Sequence, residues 1–358
     1  MIQKIIKKLL LLAIFARLVF LFYTDFALYT TPFNIASLED KYFTSSYILG
    51  DKASHTLSDA DLYVVEGNML VNQGKDLEKL TPGHPPLGKY IIGLSQKFFH
   101  NPYVFQFVSF ALVLFVFFNL SNSLFLTLIL SFEPLLVSQI NKTLLDTYLL
   151  VFQLAAIWFF LKFLKQKKPK FATALFISFF IGLSLATKFF PVSFPLVVSL
   201  VLFTLISGNF KKFTQLTLSL PFAGLAFLLG HLSYFVHHPS LILFIKYIRY
   251  QINWWAGSPQ VAPFSIFKII FSNQWSTWWG EGIIKVKDWW LGWPILTSLA
   301  LVSFQNKFLF VYLIISLFFL SFQAVFPRHL LSIMPIIYLL AYGTINRLWQ
   351  KVKTASSR

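Results

Sequence analysis

The chain contains no cysteine and little acid: 13 Asp and Glu stand against 30 Lys and Arg in 358 residues, and charged residues make up only 12% of the total. The missing cysteines exclude disulfides on either side of a membrane. So low a charge content lies far outside the range of a soluble globular domain. In its place 57% of the residues are hydrophobic and 19% aromatic, 44 of them Phe, with a mean hydropathy of +0.69. This is the composition of a polytopic membrane protein. A net charge of +17 would suggest nucleic acid as the partner of a soluble protein. Here the basic residues gather beside the ends of apolar runs, the pattern that orients membrane helices, so no nucleic acid is expected and the partner is the lipid bilayer.

A spanning helix needs about 20 mostly apolar residues, and the apolar runs predict roughly ten spans, near 9–28, 103–119, 124–139, 145–163, 171–187, 190–206, 213–230, 291–305, 308–325 and 330–346. Met1 to Lys8 and the apolar run reaching Tyr23 have the outline of a secretory leader, but no small-residue cleavage site follows, so the run is expected to be retained as a signal anchor. Lys4, Lys7 and Lys8, Lys162 to Lys170, Lys211 and Lys212, Lys307, and Arg347 to Arg358 fall at alternate loops and mark the cytoplasmic side. All thirteen acids fall at or beyond the outer ends of the spans, and because the orienting rule hardly constrains acids, this is separate support for a working surface outside. The expected architecture is therefore all-α: a single membrane domain, residues 1–358, with two long extracytoplasmic loops, 29–102 and 231–290, that carry interfacial helices. The expected location is the plasma membrane, with both termini cytoplasmic and the active site outside.

The most distinctive segment is His84-Pro85-Pro86-Leu87-Gly88-Lys89, a polar, proline-stiffened knot at the end of an acidic loop. The prolines are accounted for if they start a helix over 87–99, but His84 and Lys89 are not. Leu87, Ile91, Leu94 and Phe98 on one side and Lys89, Gln96 and Lys97 on the other predict a helix lying in the interface, with Lys89 near lipid phosphate. Upstream, residues 58–74 predict a helix with Ser58 or Asp59 at its N-cap and Gly74 past its end. Asp59 and Asp61 are then either first-turn charges favoured by the helix dipole or catalytic carboxylates. Asp146, beside an apolar span, needs a partner, and Lys142 one turn earlier is the nearest by spacing. His84 with Asp59 or Asp61, together with His231, His237 and His238, would allow a divalent metal, although no ligand spacing typical of a metal site is present. Trp254, Trp255, Trp275, Trp278, Trp279, Trp289, Trp290 and Trp293 are either an interfacial belt or a surface for stacking sugar and gripping an isoprenoid chain.

His84 to Lys89 resembles the His-Pro-Pro-Leu-Gly-Lys loop motif of the protein O-mannosyltransferase family, which takes mannose from dolichyl phosphate and has the GT-C fold of polytopic lipid-phosphate-sugar glycosyltransferases. Asp59-Ala60-Asp61 stands where that family carries an Asp-Glu pair. Gln139 to Asp146 is similar to its Gln-Ser-Arg-x-x-Leu-Leu-Asp segment, Gly182 to Lys188 to its Gly-x-x-x-x-x-Lys segment, and Pro327-Arg328-His329-Leu330-Leu331 with Pro335 to the start of the last span in bacterial relatives. Ala60 in place of Glu, Asn141 in place of Arg, and the absence of a large soluble loop domain between spans seven and eight depart from the family.

The resemblance implies a membrane hexosyltransferase, a mannosyltransferase by family name, that carries sugar from a polyprenyl-phosphate donor to a hydroxyl on a protein or glycan acceptor, with inversion. Such transfer needs a carboxylate to take the acceptor proton, for which Asp59 is the first candidate and Asp61 the second. It also needs cations to meet the charge that develops on the leaving phosphate. Lys89, Lys188 and Arg328 are the candidates, with His84 and Asp146 completing the donor site. Two other readings are an inactive structural homologue and a transporter or flippase of a lipid-linked solute. Against the transporter, mid-span charges are scarce, Arg17 being the main one, and no two halves of the chain match.

Overall fold

The computed structural model describes residues 2–188, 190–256, 262–277 and 281–356. Helices dominate it. The principal ones are α1 (Ile2–Thr24), α2 (Asp59–Val71), α3 (Leu87–Phe99), α4 (Val104–Ser121), α5 (Leu124–Leu130), α6 (Asp146–Lys165), α7 (Phe171–Thr187), α8 (Phe190–Ile206), α9 (Phe210–Leu229), α10 (Leu241–Ala256), α11 (Gly292–Leu301), α12 (Lys307–Leu320) and α13 (Met334–Ser356). A single two-stranded antiparallel ribbon pairs Trp275 with Ile284 and Ser276 with Ile283 among the described residues.

Helices α4, α6 and α9 are each long and apolar enough to cross a membrane, whereas α7, α11, α12 and Val192–Ile206 of α8 are apolar but shorter. Around the bundle, large side chains such as Leu12, Phe15 and Phe20 of α1, Phe115 of α4 and Phe176 of α7 are exposed. An apolar exterior of this extent is what lipid covers, and the chain is an integral membrane protein. The expected third span, 124–139, is broken. Helix α5 ends at Leu130, Glu133 caps a separate turn at Pro134–Val137, and the side chain of Glu133 accepts from the Leu135 N–H at 3.4 Å. Pro134 has no N–H to continue the ladder, which fixes the break.

Small residues set the closest helix crossings. A methyl group built on Gly182 of α7 would lie 2.3 Å from the Ala223 carbonyl of α9, and one on Gly93 of α3 would lie 2.2 Å from the Gly67 carbonyl of α2. Helix α6 packs against α4 and α7, and α8 against α12. Two apolar clusters result. The larger fills the bundle; the smaller joins Leu62, Tyr63, Val65 and Met69 of α2 and Ile92 of α3 to Leu145 just before α6, to Tyr148 of α6 and to Tyr234, Phe244 and Tyr247 from the second loop region. The first loop is thus a packed layer resting on the start of α6.

Within α2 the helix expected from the sequence is present. Ser58 is the N-cap, its hydroxyl accepting from the Asp61 N–H at 3.2 Å, and Gly74 beyond the end has a φ of 60°. Along α3, Lys89, Ile92, Gly93 and Gln96 are buried while Leu87, Ile91 and Leu94 are half-buried and Phe98 is exposed. On the polar side of α3, Lys89 and Gln96 therefore face protein, while Lys97 near the helix end is exposed. The expectation that Lys89 reaches lipid phosphate is corrected, because its ammonium is drawn inward by a buried carboxylate, Glu66.

The glycine contacts give a direct test. Gly182→Ala should destabilise the protein by about 1–3 kcal/mol, the usual cost of overpacking. Gly224→Ala, where a methyl group meets nothing within 4 Å, should be neutral or gain up to about 1 kcal/mol from reduced chain freedom. Denaturation of both variants in the same detergent compares them, and equal midpoints would show that the α7–α9 crossing is not close-packed.

Candidate active site at the helix ends

Four charged side chains from four separate segments meet at one point. The Arg328 guanidinium donates through Nη2 to Asp59 Oδ2 and lies with its Nε 3.4 Å from Asp146 Oδ2, while Lys188 Nζ donates to Asp146 Oδ1 at 2.5 Å. Asp146 and Lys188 have side-chain exposures of 3% each, Arg328 15% and Asp59 32%, so the chain of charges runs from a buried end to an accessible carboxylate. Asp146 pairs with Lys188 and Arg328 rather than with Lys142, whose side chain is exposed. An exposed partner four residues away cannot compete with one that shares the buried end of the bundle.

Local structure explains each placement. Asp59 is the first residue of α2 and Asp146 the first of α6, where unpaired N–H groups favour negative charge. Lys188 is the C-cap of α7, and Arg328 sits in the 3-10 turn Pro327–Ser332 that leads into α13. The guanidinium rests 4.1 Å from the Phe326 ring centroid, a cation–π contact that holds it over the acids. Thr143 Oγ1 donates to the Ala60 carbonyl at 2.8 Å and ties the start of α2 to the turn before Asp146.

His84 is close by. Its ring meets the Tyr63 ring edge-on with centroids 5.7 Å apart. Burial, then Lys188, Lys89 and Arg328, hold the His84 imidazole well below its ordinary value. His329 is held down in the same way, by burial and then by Lys188, Arg328 and His84. Burial and then the Asp59 carboxylate push the Tyr63 phenol well above its own ordinary value, so it stays protonated and able to donate. A methyl group built on Gly83 would lie 3.5 Å from the Trp254 ring, which places a partly exposed indole beside the knot.

Of the residues singled out from sequence, the structure brings Asp59, Asp146, Lys188 and Arg328 together, with His84 at their edge. It does not bring in Asp61, which accepts from Ser58 Oγ at 2.7 Å as part of the helix cap. Lys89 is elsewhere too, 2.7 Å from Glu66 Oε2. Tyr63 and His329 were missed. His329 stood beside Arg328 in a quoted motif, but nothing in the pattern of residues distinguished Tyr63 from a core aromatic. Among the described residues no three His, Asp or Glu side chains converge as a metal would require; His231 Nδ1 meets the Phe227 carbonyl, and His237 and His238 meet Gly74 and Asp76.

The tryptophans divide differently from a belt. Trp275, Trp289, Trp290 and Trp293 turn their indole N–H groups inward, to the Val325 and Ile270 carbonyls and to the Glu133 carboxylate. Trp278, Trp279 and the side chain of Trp255 lie outside the described residues.

Apolar-faced helices with a layer of short helices at one end, and a charged centre at their junction, describe a helical membrane protein. No family model and no curated protein sequence matches the chain. Among solved structures it is similar to ArnT from Cupriavidus metallidurans bound to undecaprenyl phosphate, with a TM-score of 0.61 at 15% identity, and to the apo state of the same protein, with 0.61 at 13%. Each match covers 88% of this chain and 61% of ArnT, so the chain spans about three fifths of that protein's length.

The two depressed imidazoles predict a pH dependence. The unfolded chain takes up protons on His84 and His329 as pH falls through about 6.5, and the folded chain does not, so stability falls toward acid by up to about 1.4 kcal/mol per pH unit for each group. Unfolding midpoints should drop between about pH 6.5 and 5, and His84→Gln with His329→Gln should flatten the slope. An unchanged slope in the double variant would mean that these imidazoles are not held neutral in the folded protein.

Proposed function

We propose that this protein is a membrane glycosyltransferase that moves a hexose, mannose by the resemblance, from a polyprenyl-phosphate donor to an acceptor hydroxyl on a protein or glycan. The observation that carries the reading is the Asp59–Arg328–Asp146–Lys188 cluster: a partly open carboxylate next to two enclosed cations, at the point where the loop layer meets the bundle. The fold shared with ArnT, solved with undecaprenyl phosphate, supports a donor of that lipid class. In this reading ten spans cross the plasma membrane, both termini are cytoplasmic and the site opens to the outside.

Asp59 takes the proton of the acceptor hydroxyl as its oxygen attacks the anomeric carbon from the face opposite the phosphate. The bond from that carbon to the phosphate oxygen breaks, its electron pair stays on the phosphate, and the anomeric centre inverts. Polyprenyl phosphate leaves. Arg328 and Lys188 meet the developing charge. Without donor, Arg328 is held by Asp59; a phosphate that draws the guanidinium toward itself frees the carboxylate to act as base, so donor binding readies the centre. Neutral His84 contributes a hydrogen bond rather than a charge, and Trp254 beside Gly83 offers a face to the sugar. Asp146 keeps both cations in place, and Asp61 serves the helix cap.

Release of polyprenyl phosphate from labelled polyprenyl-phosphate mannose, followed with purified protein in lipid discs and a broad acceptor mixture, tests this. Asp59→Asn should lower turnover by about 10²–10⁴-fold, the usual contribution of a general base, while Asp61→Asn stays within a few-fold of wild type. A fully active Asp59→Asn enzyme would remove Asp59 from the role. No release by the wild-type protein, with mannose or other sugars on the carrier, would favour the transporter or the inactive homologue, which carrier binding then separates.

A further inference from the structure

Glu66 and Lys89 stand outside the Asp59–Arg328–Asp146–Lys188 cluster, yet they are among the most enclosed charges of the protein, with side-chain exposures of 0% and 1%. Lys89 Nζ donates to the Thr81 carbonyl at 3.3 Å as well as pairing with Glu66 Oε2. Thr81 returns two bonds, from its N–H at 2.7 Å and from its hydroxyl, to Glu66 Oε1. Three residues, on α2, on α3 and in the loop between them, thus close a ring of hydrogen bonds.

The ring fastens one end of the segment Thr81-Pro82-Gly83-His84-Pro85-Pro86. The other end is fastened because Pro86 is the N-cap of α3. Three of the six residues are proline, with φ locked, so little freedom remains for His84 between the anchors. The helices themselves are locked at the same level. A methyl group built on Gly67, next to Glu66, would lie 2.5 Å from the Lys89 carbonyl.

Helix geometry links this ring to the candidate centre. Seven residues separate Asp59 from Glu66, which at 100° and 1.5 Å per residue leaves them about 20° apart in direction and about 10 Å apart along the axis. Tyr63, one turn from Asp59, lies between them on that face, and the His84 ring packs on it. One face of α2 therefore carries Asp59, the ring against which His84 rests, and the carboxylate that holds the loop of His84.

A buried ion pair is a poor device for stability, because apolar residues of similar volume commonly replace one without loss. What it adds over packing is a fixed direction and distance. We infer that Glu66 and Lys89 are positioning residues, which through Thr81 hold His84 at the edge of the Asp59–Arg328 centre for contact with the donor. The inference rests on the transferase reading of that centre, and it assigns Lys89 of the knot to holding the loop and leaves phosphate to Lys188 and Arg328.

The test replaces both charges, Glu66→Met with Lys89→Met, in the full-length protein in lipid discs. The pair variant should keep a thermal midpoint near wild type, lose at least tenfold in kcat/KM for polyprenyl-phosphate mannose, and show the loss mainly in KM for the donor. Nuclear magnetic resonance of isotope-labelled histidine, with the His84 signal assigned through His84→Gln, gives a readout independent of activity. In wild type that signal should stay neutral and unbroadened as pH falls through the ordinary value of about 6.5, and in Thr81→Val, where both charges remain, it should titrate nearer that value. If the pair variant does not fold, Thr81→Val, which removes the hydroxyl donor and leaves the ion pair, should give the same kinetic loss in smaller measure. Wild-type kinetics together with an unchanged His84 signal in a folded variant would overturn the inference. Wild-type protein without any transfer would instead overturn the transferase reading, and the His84 signal would still decide whether the ring holds the loop.

Discussion

The alternation of charge in Asp59, Arg328, Asp146 and Lys188 is the constraint on which the arrangement of the rest depends. Two acids and two bases sum to zero, so the cluster tolerates burial that no single member would. Removing any one leaves an uncompensated charge against an apolar bundle. The four come from the start of α2, the start of α6, the end of α7 and the turn before α13. Satisfying them requires these segments to meet, and the packing of α6 against α7 and against the turn at Pro327–Ser332 is the arrangement that does so. The acids sit at helix starts and the lysine at a helix end, so the local dipoles favour the same positions as the ion pairs. Local and tertiary preferences agree, as they do in a sequence that specifies one structure.

How far the chain could be read from its residues follows from which interactions are local. The apolar runs are long and their ends charged, and helices lie at each of the ten positions they mark. The cap at Ser58 and the glycine at Gly74 bracket α2 because capping acts within a turn. The third run failed as a continuous helix for an equally local reason, Pro134 after Glu133, whose weight was hidden by the hydrophobic residues on either side. Asp146 was different. Spacing offered Lys142, but the partners are Lys188 and Arg328, 42 and 182 residues distant. Periodicity carries no information about such pairs; the ordered motifs of the resemblance named Asp59, Asp146, Lys188 and Arg328 as members of a set but not as neighbours.

Glu133 and the tryptophans show the same limit from the other side. A run of aromatic residues in an outer loop has the composition of an interfacial belt, and composition cannot say where an indole N–H points. Trp290, Trp293 and Tyr338 all donate to the Glu133 carboxylate, and Trp293 is fully buried. The carboxylate sits at the break between α5 and the turn at Pro134, where the backbone ladder is interrupted. Donors from 157, 160 and 205 residues further on meet it there, so the break in one helix becomes the joint that fastens the second loop region and α13 to the bundle. An acid that looked like one of thirteen outer charges is a structural centre.

The knot at His84 to Lys89 divides its labour for a related reason. Its two functional groups lie five residues apart but point to different surroundings, since Pro85 and Pro86 end the loop and Leu87 begins a helix whose first turn carries Lys89 toward α2. A lysine on that face meets Glu66 before it can meet solvent, and an ammonium so enclosed is held by its carboxylate. His84, in the loop, escapes that partner and instead lies among Lys188, Lys89 and Arg328, whose charges disfavour a proton on the imidazole. A histidine kept neutral beside these cations adds a hydrogen-bonding group without adding repulsion. The motif thus puts two different groups five residues apart: Lys89, whose charge is satisfied by a buried carboxylate, and His84, which stays uncharged among cations.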